Sequence, residues 1–251
     1  MALYQSELVK VLKFLHTYVR RDSSILMLGV QKILIDPESF EKIINRMGIP
    51  YDDEKWEKIK IEGGKNIGTF SLFEVFGYND VHALDISDYE GADILVDLNI
   101  KISEEHRRFD FVMNIGTLEH VFNVATAMDN IFELTEPEGY ILNIGPAAGY
   151  VDHGFFSFSP GFFEDYYRKN GCEILDIFLE LINDKTEYEK WHSYYTEDCR
   201  LFDDWEGEMG LQRYLDRICK CDEIGRVQVW SLVKKNSDRN QLSYPIQRIY
   251  Q

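Results

Sequence analysis

The sequence predicts an α/β fold built on a seven-stranded, mainly parallel sheet with helices on both faces. Two observations support this prediction. Continuous apolar runs, typical of strands buried on both faces, alternate with segments whose apolar residues recur every three or four positions, as in helices. Most of the runs also end at a glycine or an acid, as expected where parallel strands meet a ligand. A chain of 251 residues is long enough for such a sheet, and we expect one domain over 1–251.

The predicted elements follow in order along the chain. Helical spacing predicts helices over 3–19, 69–76, 123–135 and 160–170, and residues 36–60 are charged and weakly helical. The predicted strands are SILMLG (24–29), VHALDIS (81–87), DILVDLN (93–99), FDFVMNIG (109–116), YILNIG (140–145), EILDIFLELI (173–182) and RVQVWSLVKK (226–235). Because strands and helices alternate, we expect mainly parallel pairing.

Two segments, about 30–65 and about 184–225, are longer than ordinary connections. The second precedes the last strand and is rich in aromatic residues. It forms either a small helical subdomain or a lid over the substrate, and both alternatives stay open. Its aromatic residues are Tyr188, Trp191, Tyr194, Tyr195, Phe202, Trp205 and Tyr214.

The charge balance argues against a nucleic-acid partner. Lys+Arg 27 and Asp+Glu 44 give a net charge of 27 − 44 = −17, whereas phosphate backbones are bound by clustered basic residues. The basic pairs Arg20-Arg21 and Lys234-Lys235 are short, and we expect them to be solvated ends of elements.

Nothing in the sequence indicates secretion or a membrane. Glu7 and Lys10 interrupt the first apolar stretch, so we expect no signal peptide, and no apolar run reaches the roughly 20 residues that span a bilayer. Cys219 and Cys221 lack the two-residue gap of a zinc or thioredoxin motif, so reduced thiols are expected. We therefore expect a cytoplasmic protein with no membrane partner; a homodimer is one option for its assembly.

The residues that end the apolar runs indicate a nucleoside ligand. Ligands of open parallel sheets bind beyond the carboxyl ends of the strands. Glycine at such an end lets a ligand approach the backbone, and the acid Asp85 after the second strand is placed to accept both hydroxyls of a ribose. After the first strand, LGVQK lacks the glycines of a dinucleotide loop, and the chain has no P-loop motif. The expected ligand has a ribose and no pyrophosphate, which disfavours an NAD-dependent oxidoreductase.

These motifs, read together, resemble class I S-adenosylmethionine-dependent methyltransferases. The resemblance rests on SILMLG, ALDIS, ADILVDL, FDFVMNIGTLEHVFN and EPEGYILNIGP, and it covers about 24–182 and 226–235. It implies a Rossmann-like fold, S-adenosyl-L-methionine as cofactor and a small-molecule acceptor. It also implies that the first glycine loop touches the amino-acid end of the cofactor, the acid after the second strand its ribose, the acid–apolar pair after the third its adenine, and the fourth strand end its methionine side. The implied cofactor-binding residues are Gly29, Gln31, Asp85, Ile86, Asp97, Leu98, Asn114 and Gly116.

The stretch GYVDHGFFSFSPGFF (149–163) is similar to a subgroup of methyltransferases associated with bacterial surface and capsular polysaccharides. That similarity implies a sugar, or a phosphorylated or amidated precursor, as acceptor of the methyl group on oxygen or nitrogen. The first glycine loop departs from the family because LGVQ replaces its glycine-rich pattern. A non-catalytic Rossmann-like protein that binds a nucleoside or a partner is therefore the alternative.

Two histidines are the candidate catalytic residues. His120 follows Glu119, and both are expected in the first turn of the helix after the fourth strand, where Glu119 would stabilise the helix dipole. Consecutive helical residues point about 100° apart, so the two are not expected to act on one proton. His153 follows the fifth strand and is the better candidate for a general base. We expect no metal site, because the spacing of His120 and His153 matches no ligand motif.

Overall fold

A computed structural model describes residues 2–3, 5–33, 35, 37–62, 67–103, 105–182, 196–199, 226–239, 241–247 and 250. The strands among these residues are β1 Ala2–Leu3, β2 Ser24–Leu28, β3 Lys32–Ile33, β4 Asp80–Asp85, β5 Ile94–Leu95, β6 Phe109–Ile115, β7 Thr135–Ala148, β8 Glu173–Ile182, β9 Thr196–Cys199 and β10 Arg226–Lys234. The α-helices are α1 Gln5–Tyr18, α2 Pro37–Met47, α3 Asp53–Glu62, α4 Thr69–Val75, α5 Val124–Leu134 and α6 Pro160–Lys169.

The main sheet has the strand order β5-β4-β2-β6-β7-β10-β8-β9. The first five strands pair in parallel, and β10 runs antiparallel to both of its neighbours, β7 and β8. This arrangement confirms the predicted α/β class and the mainly parallel, Rossmann-like sheet. One short strand, β9, extends the seven predicted strands at the edge beyond β8, and β1 pairs with β3 in a separate two-stranded sheet.

Apolar layers cover both faces of the sheet. Along β2, Ile25 and Met27 pack on one side with residues of α1 to α4, whereas Leu26 and Leu28 pack on the other with residues of α5 and α6. Successive side chains of a strand point to opposite faces, so a strand covered on both sides must be apolar throughout. The predicted helices on both faces are confirmed, and all five residues of β2 are buried.

Several element boundaries differ from the sequence prediction. The third predicted strand is reduced to the two residues of β5, and the fifth is extended to the fourteen of β7. The weakly helical stretch 36–60 forms α2 and α3, which fill much of the first long segment. Within the second long segment, 184–225, only the strand β9 is described. The lid or subdomain predicted there, with all its aromatic residues, lies outside the described residues.

The basic pair at the end of β10 corrects one prediction. Lys235 is 0% exposed, although it was expected to be solvated. Its ammonium group donates to the carbonyls of Phe132 and Thr135 at 2.9 and 2.7 Å. The ammonium group thus supplies donors at the carboxyl end of α5, where backbone carbonyls lack helical partners. No described helix has the length and apolar composition needed to cross a bilayer.

Candidate active site

The carboxyl ends of β2, β4 and β6 lie side by side, and this alignment positions the site. In the parallel register, Leu28 of β2 pairs with Leu84 of β4 and with Asn114 of β6. Gly29 and Asp85, the next residues of β2 and β4, are therefore neighbours at one edge of the sheet. The Gly29 N–H donates to the Leu84 carbonyl at 2.8 Å, which holds the turn against β4.

Gly29 is buried at a point where three polar side chains converge. Its φ is +76°, a left-handed conformation that favours glycine. A methyl group on its Cα would lie 3.0 Å from Thr117 Oγ1, 3.8 Å from Asp85 Oδ2 and 3.9 Å from Gln31 Nε2. The three side chains come this close to the strand end only because residue 29 has no side chain of its own. The hydroxyl, carboxylate and amide gathered here are groups that can bind the amino-acid and ribose parts of S-adenosylmethionine.

The side chain of Gln31 packs beside Gly29. Its side chain is buried, and Nε2 contacts the carbonyls of Leu28, Gly29 and Ile115 at 3.3 to 3.4 Å. Its Oε1 is buried without a hydrogen-bond partner. A buried amide oxygen without a partner is destabilising, so Oε1 is an acceptor that a bound donor group can satisfy.

Asp85 and Ile86 lie on the other side of Gly29. The Ile86 N–H donates to Asp85 Oδ1 at 2.6 Å, and Asp85 Oδ2 is directed toward Gly29. The Ile86 side chain is 70% exposed, a large apolar surface next to a polar cleft. An apolar side chain left in water beside a strand end suits contact with a flat ligand group.

Asp97 and Leu98, the predicted adenine contacts, have structural partners of their own. Asp97 Oδ1 accepts from the Asn99 N–H at 2.9 Å and from Asn99 Nδ2 at 2.8 Å. These hydrogen bonds hold the pKa of Asp97 below its usual value. The Leu98 side chain is 5% exposed and packs in the core next to α5. Any contact of Leu98 with a ligand would therefore use its backbone.

Asn114 is fully buried and organises the turn after β6. Its Nδ2 donates to Asn143 Oδ1 at 3.2 Å, and its Oδ1 accepts from the backbone N–H groups of Thr117 and Leu118 at 3.3 and 3.0 Å. Gly116, with φ +69°, donates its N–H to the Ile144 carbonyl. These bonds direct Thr117 toward the end of β2, where its hydroxyl donates to the Leu28 carbonyl at 2.6 Å.

Glu119 and His120 lie in a separate 3₁₀ turn, Leu118–His120, and α5 begins only at Val124. Their expected place in the first turn of α5 is therefore wrong, because the Asn114 bonds form a tight turn before the helix starts. The Glu119 side chain is 1% exposed, and its Oε2 is buried without a hydrogen-bond partner. Burial raises the pKa of Glu119 to about 7.

The chain after β7 crosses this turn and carries His153 with it. The N–H groups of Phe155 and Phe156 donate to the Glu119 carbonyl at 2.8 and 3.3 Å. Gly154 packs so closely here that a Cβ would lie 2.8 Å from the Glu119 carbonyl oxygen. His153 Nε2 consequently lies 3.8 Å from Glu119 Oε1.

His120 and His153 face each other above the buried acid, with their ring centroids 5.1 Å apart. Desolvation, followed by the proximity of His153, lowers the pKa of His120. Nearby, the exposed rings of Phe122 and Phe155 make a perpendicular contact at 5.4 Å. The cluster therefore combines two imidazoles, a buried carboxylate and an aromatic surface open to water.

Two participants were missed by the sequence prediction. Thr117 was not considered, although a hydroxyl directly after a strand-end glycine is a signal for contact with the neighbouring strand. Glu119 was interpreted as a helix stabiliser, and no local pattern reveals that the 149–158 stretch covers it. Of the predicted residues, Gly29, Gln31 and Asp85 are brought together with Thr117, and His120 is brought to His153.

Three solved structures illustrate what the chain is similar to, all at low sequence identity. TehB from Haemophilus influenzae is 14% identical with a TM-score of 0.45; the match covers 92% of this chain, which spans 62% of that chain. A SAM-dependent methyltransferase from Archaeoglobus fulgidus is 14% identical with a TM-score of 0.40, covering 92% and 94% of the two chains. An O-methyltransferase from a trans-AT PKS multienzyme of Brevibacillus brevis, in complex with S-adenosyl-L-homocysteine, is 12% identical with a TM-score of 0.41, covering 85% and 67%. These likenesses carry no argument about the acceptor.

The family comparison is more informative. No curated protein sequence matches the chain. The family model of a methyltransferase domain matches residues 36–195, which is more than half of the 251 residues. The match starts after Gly29 and Gln31, so the roles of these two rest on the geometry alone. The chain therefore belongs to the methyltransferase-domain family.

Proposed function

We propose that this protein transfers a methyl group from S-adenosylmethionine to an oxygen or nitrogen atom of a small polar acceptor. One observation carries the proposal: the group of Gly29, Asp85 and Thr117 and the His120–His153 pair both lie beyond the carboxyl ends of the central strands. A donor side and an acceptor side are thus arranged along one edge of the sheet. Membership of the methyltransferase-domain family supports this interpretation.

The donor side assigns a part of the cofactor to each predicted residue. Gly29 and Gln31 contact the amino-acid end, where the Gln31 Oε1 acceptor is available to the ammonium group. Asp85 accepts hydrogen bonds from the ribose hydroxyls. Ile86 lies beside the ribose, and Asp97 and Leu98 border the adenine. Asn114 acts by holding the turn that contains Gly116, whose backbone faces the methionine side.

On the acceptor side, a group of the protein must take up the proton of the acceptor. When bound, the cofactor supplies an electrophilic methyl group. The acceptor must present a lone pair in line with it, and must lose a proton to remain neutral after transfer. His153, with His120 beside it, can accept this proton as a general base.

The nature of the acceptor follows from the surroundings of His153. The exposed rings of Phe122 and Phe155 offer an apolar face on which a sugar ring can lie, next to polar groups that contact its hydroxyls. Together with the similarity of residues 149–163, this favours a sugar, or a phosphorylated or amidated precursor, of a bacterial surface polysaccharide.

The test uses the ribose contact. Asp85→Ala removes a charged acceptor from two hydroxyl groups, and charged hydrogen bonds contribute about 1.5–3 kcal/mol. We expect calorimetry to give an affinity for S-adenosylhomocysteine that is weaker by about 10- to 100-fold. The matched control is Asp88→Ala, which removes an exposed acid three residues further along and should bind like the wild type. Unchanged affinity in Asp85→Ala would remove the ribose assignment.

A non-catalytic nucleoside-binding protein is the second candidate, and the buried Gln31 favours it. Its side chain fills space behind Gly29 that a glycine-rich loop would leave open. The two candidates differ in one measurement: both predict thermal stabilisation by S-adenosylhomocysteine, but only a methyltransferase releases this product from S-adenosylmethionine when sugar or nucleotide-sugar acceptors are added.

A further inference from the structure

Glu119, His120 and His153 form a cluster whose composition and shape are those of a metal site. Each side chain offers one ligand atom, and the three atoms lie within 4.8 Å of one another. The carboxylate is buried, whereas both imidazoles reach the surface. We propose that these three side chains bind one divalent transition-metal cation, and that this cation binds the acceptor of the methyl group. The second half of this statement rests on the proposed function.

The buried carboxylate is the main argument for a cation. Glu119 is almost wholly removed from water, and its Oε2 has no hydrogen-bond partner. An ionised group in that position is strongly destabilised unless a positive charge accompanies it. The described ion pairs give Glu119 only His153, at 3.8 Å, which is longer than a hydrogen bond. A cation between the carboxylate and the two imidazoles would supply the missing partner.

The backbone holds Glu119 firmly in this place. Its carbonyl accepts two N–H groups from the 155–156 backbone, and a Cβ at Gly154 would lie 2.8 Å from its carbonyl oxygen and 3.1 Å from its Cγ. The carboxylate is thus positioned before any ligand arrives. The side chains of both histidines are exposed, so their rings can turn toward a common centre.

The donor set determines the class of metal. Two imidazole nitrogens and one carboxylate oxygen suit zinc, manganese, iron, cobalt or nickel rather than calcium or magnesium. Zinc–nitrogen distances of about 2.0–2.1 Å imply ligand atoms about 3.3 Å apart in a tetrahedral site. The observed spread of up to 4.8 Å must therefore contract by about 1.5 Å, which rotation of the two histidine side chains can provide.

Three protein ligands leave a coordination position for another molecule. Zinc sites with a catalytic role follow this pattern, whereas structural sites have four protein ligands. Both imidazoles are exposed, and the exposed rings of Phe122 and Phe155 follow each of them by two residues in the sequence. A hydroxyl or carboxylate oxygen of the acceptor would bind at the open coordination position while its ring lies against the aromatic surface.

The experiment measures metal binding directly. Full-length protein, freed of any affinity tag and treated with EDTA, is titrated calorimetrically with Zn²⁺, Mn²⁺ and Co²⁺, and bound Co²⁺ is followed by its visible absorption. We expect one cation per chain. His120→Ala and His153→Ala should each weaken binding by at least about tenfold, the equivalent of about 1.4 kcal/mol. The matched control, His106→Ala, removes an exposed histidine outside the cluster and should bind as the wild type does.

Glu119→Gln serves as a third variant that keeps the size of the side chain. The melting temperature of Glu119→Gln shows whether this variant folds. If it does not fold, the two histidine variants still test the site. Absence of binding, or equal affinity in the wild type, His120→Ala and His153→Ala, would overturn the metal site. Titration of the same samples with S-adenosylhomocysteine separates the two proposals. Cofactor binding without metal binding leaves the proposed function standing, whereas metal binding without cofactor binding supports the site and overturns that function.

Discussion

At the scale of single residues, two features of the end of β2 require glycine at position 29. Its left-handed backbone, φ +76°, and the 3.0 Å that would separate an added methyl group from Thr117 Oγ1 are two independent constraints. The first concerns the backbone conformation and the second concerns space. Gly48 has a similar φ of +63° but no heavy atom within 4 Å of the methyl position. The chain therefore contains its own control for separating the two constraints.

We expect Gly29→Ala to destabilise the protein more than Gly48→Ala does. Left-handed strain costs a non-glycine residue about 1–2 kcal/mol at either position. At Gly29 the methyl group must also displace the Thr117 hydroxyl from the Leu28 carbonyl, which adds about 1 kcal/mol. Urea unfolding measures the difference, and calorimetry should show weaker binding of S-adenosylhomocysteine only in Gly29→Ala. Equal losses of stability, with cofactor affinity retained, would contradict this account.

At the scale of elements, one lysine joins the ends of a helix and two strands. The Lys235 ammonium group donates to two carbonyls at the end of α5, pairs with Asp238 at 2.8 Å and lies 4.3 Å above the Phe132 ring centroid. Its backbone N–H donates to the Gly139 carbonyl in β7. A cation at the carboxyl end of a helix is stabilising, and more so when it is buried. This contact fixes α5 against the strand that leads to the acceptor side.

Lys235→Met should lower the free energy of unfolding by about 2–4 kcal/mol, because it keeps the length of the side chain but leaves two buried carbonyls without their donor and Asp238 with Arg108 as its remaining described partner. The control is the adjacent Lys234→Met. Lys234 pairs with the exposed Glu138, and a surface pair contributes about 0–1 kcal/mol. Urea unfolding with both variants gives the comparison; similar losses would mean that the buried bonds contribute no more than the surface pair.

At the scale of the whole molecule, the balance of charge is the dominant feature. The net charge of −17 is spread over 251 residues, and self-repulsion of this kind opposes a compact state. Some surface ion pairs favour the compact state, including Arg107 with Asp80 and Lys32 with Glu90. Since 44 acidic residues exceed 27 basic ones, many acids have no basic partner to offset them.

We expect the melting temperature to rise when NaCl is increased from about 10 mM to about 150 mM, because the Debye length shortens to about 8 Å and screens repulsion between exposed acids. KCl at equal ionic strength should give the same rise, which separates screening from binding of a particular ion. Scanning calorimetry provides the measurement. A fall in melting temperature would mean that the attractive pairs outweigh the repulsion.

Local signals in the amino-acid sequence were enough to predict the order of the main strands and helices and the proximity of Gly29 to Asp85. Apolar runs and helical spacing are such signals, so strands such as β2 and helices such as α1 were predicted within one or two residues. The carboxyl ends of parallel strands share one edge, and this rule alone brought Gly29 and Asp85 together. Very short strands, such as β3, escape such signals because two residues carry no periodicity.

The acceptor side, in contrast, depends on tertiary contacts that no local pattern contains. Residues 120 and 153 meet because the stretch after β7 folds back over the 3₁₀ turn, and the same crossing buries Glu119. Lys235 is buried for a comparable reason, since it meets carbonyls about 100 residues earlier in the chain. Contacts of this kind depend on the path of loops and on the packing of distant segments. Local periodicity reports which face of an element is apolar, but not which remote polar group will cover it.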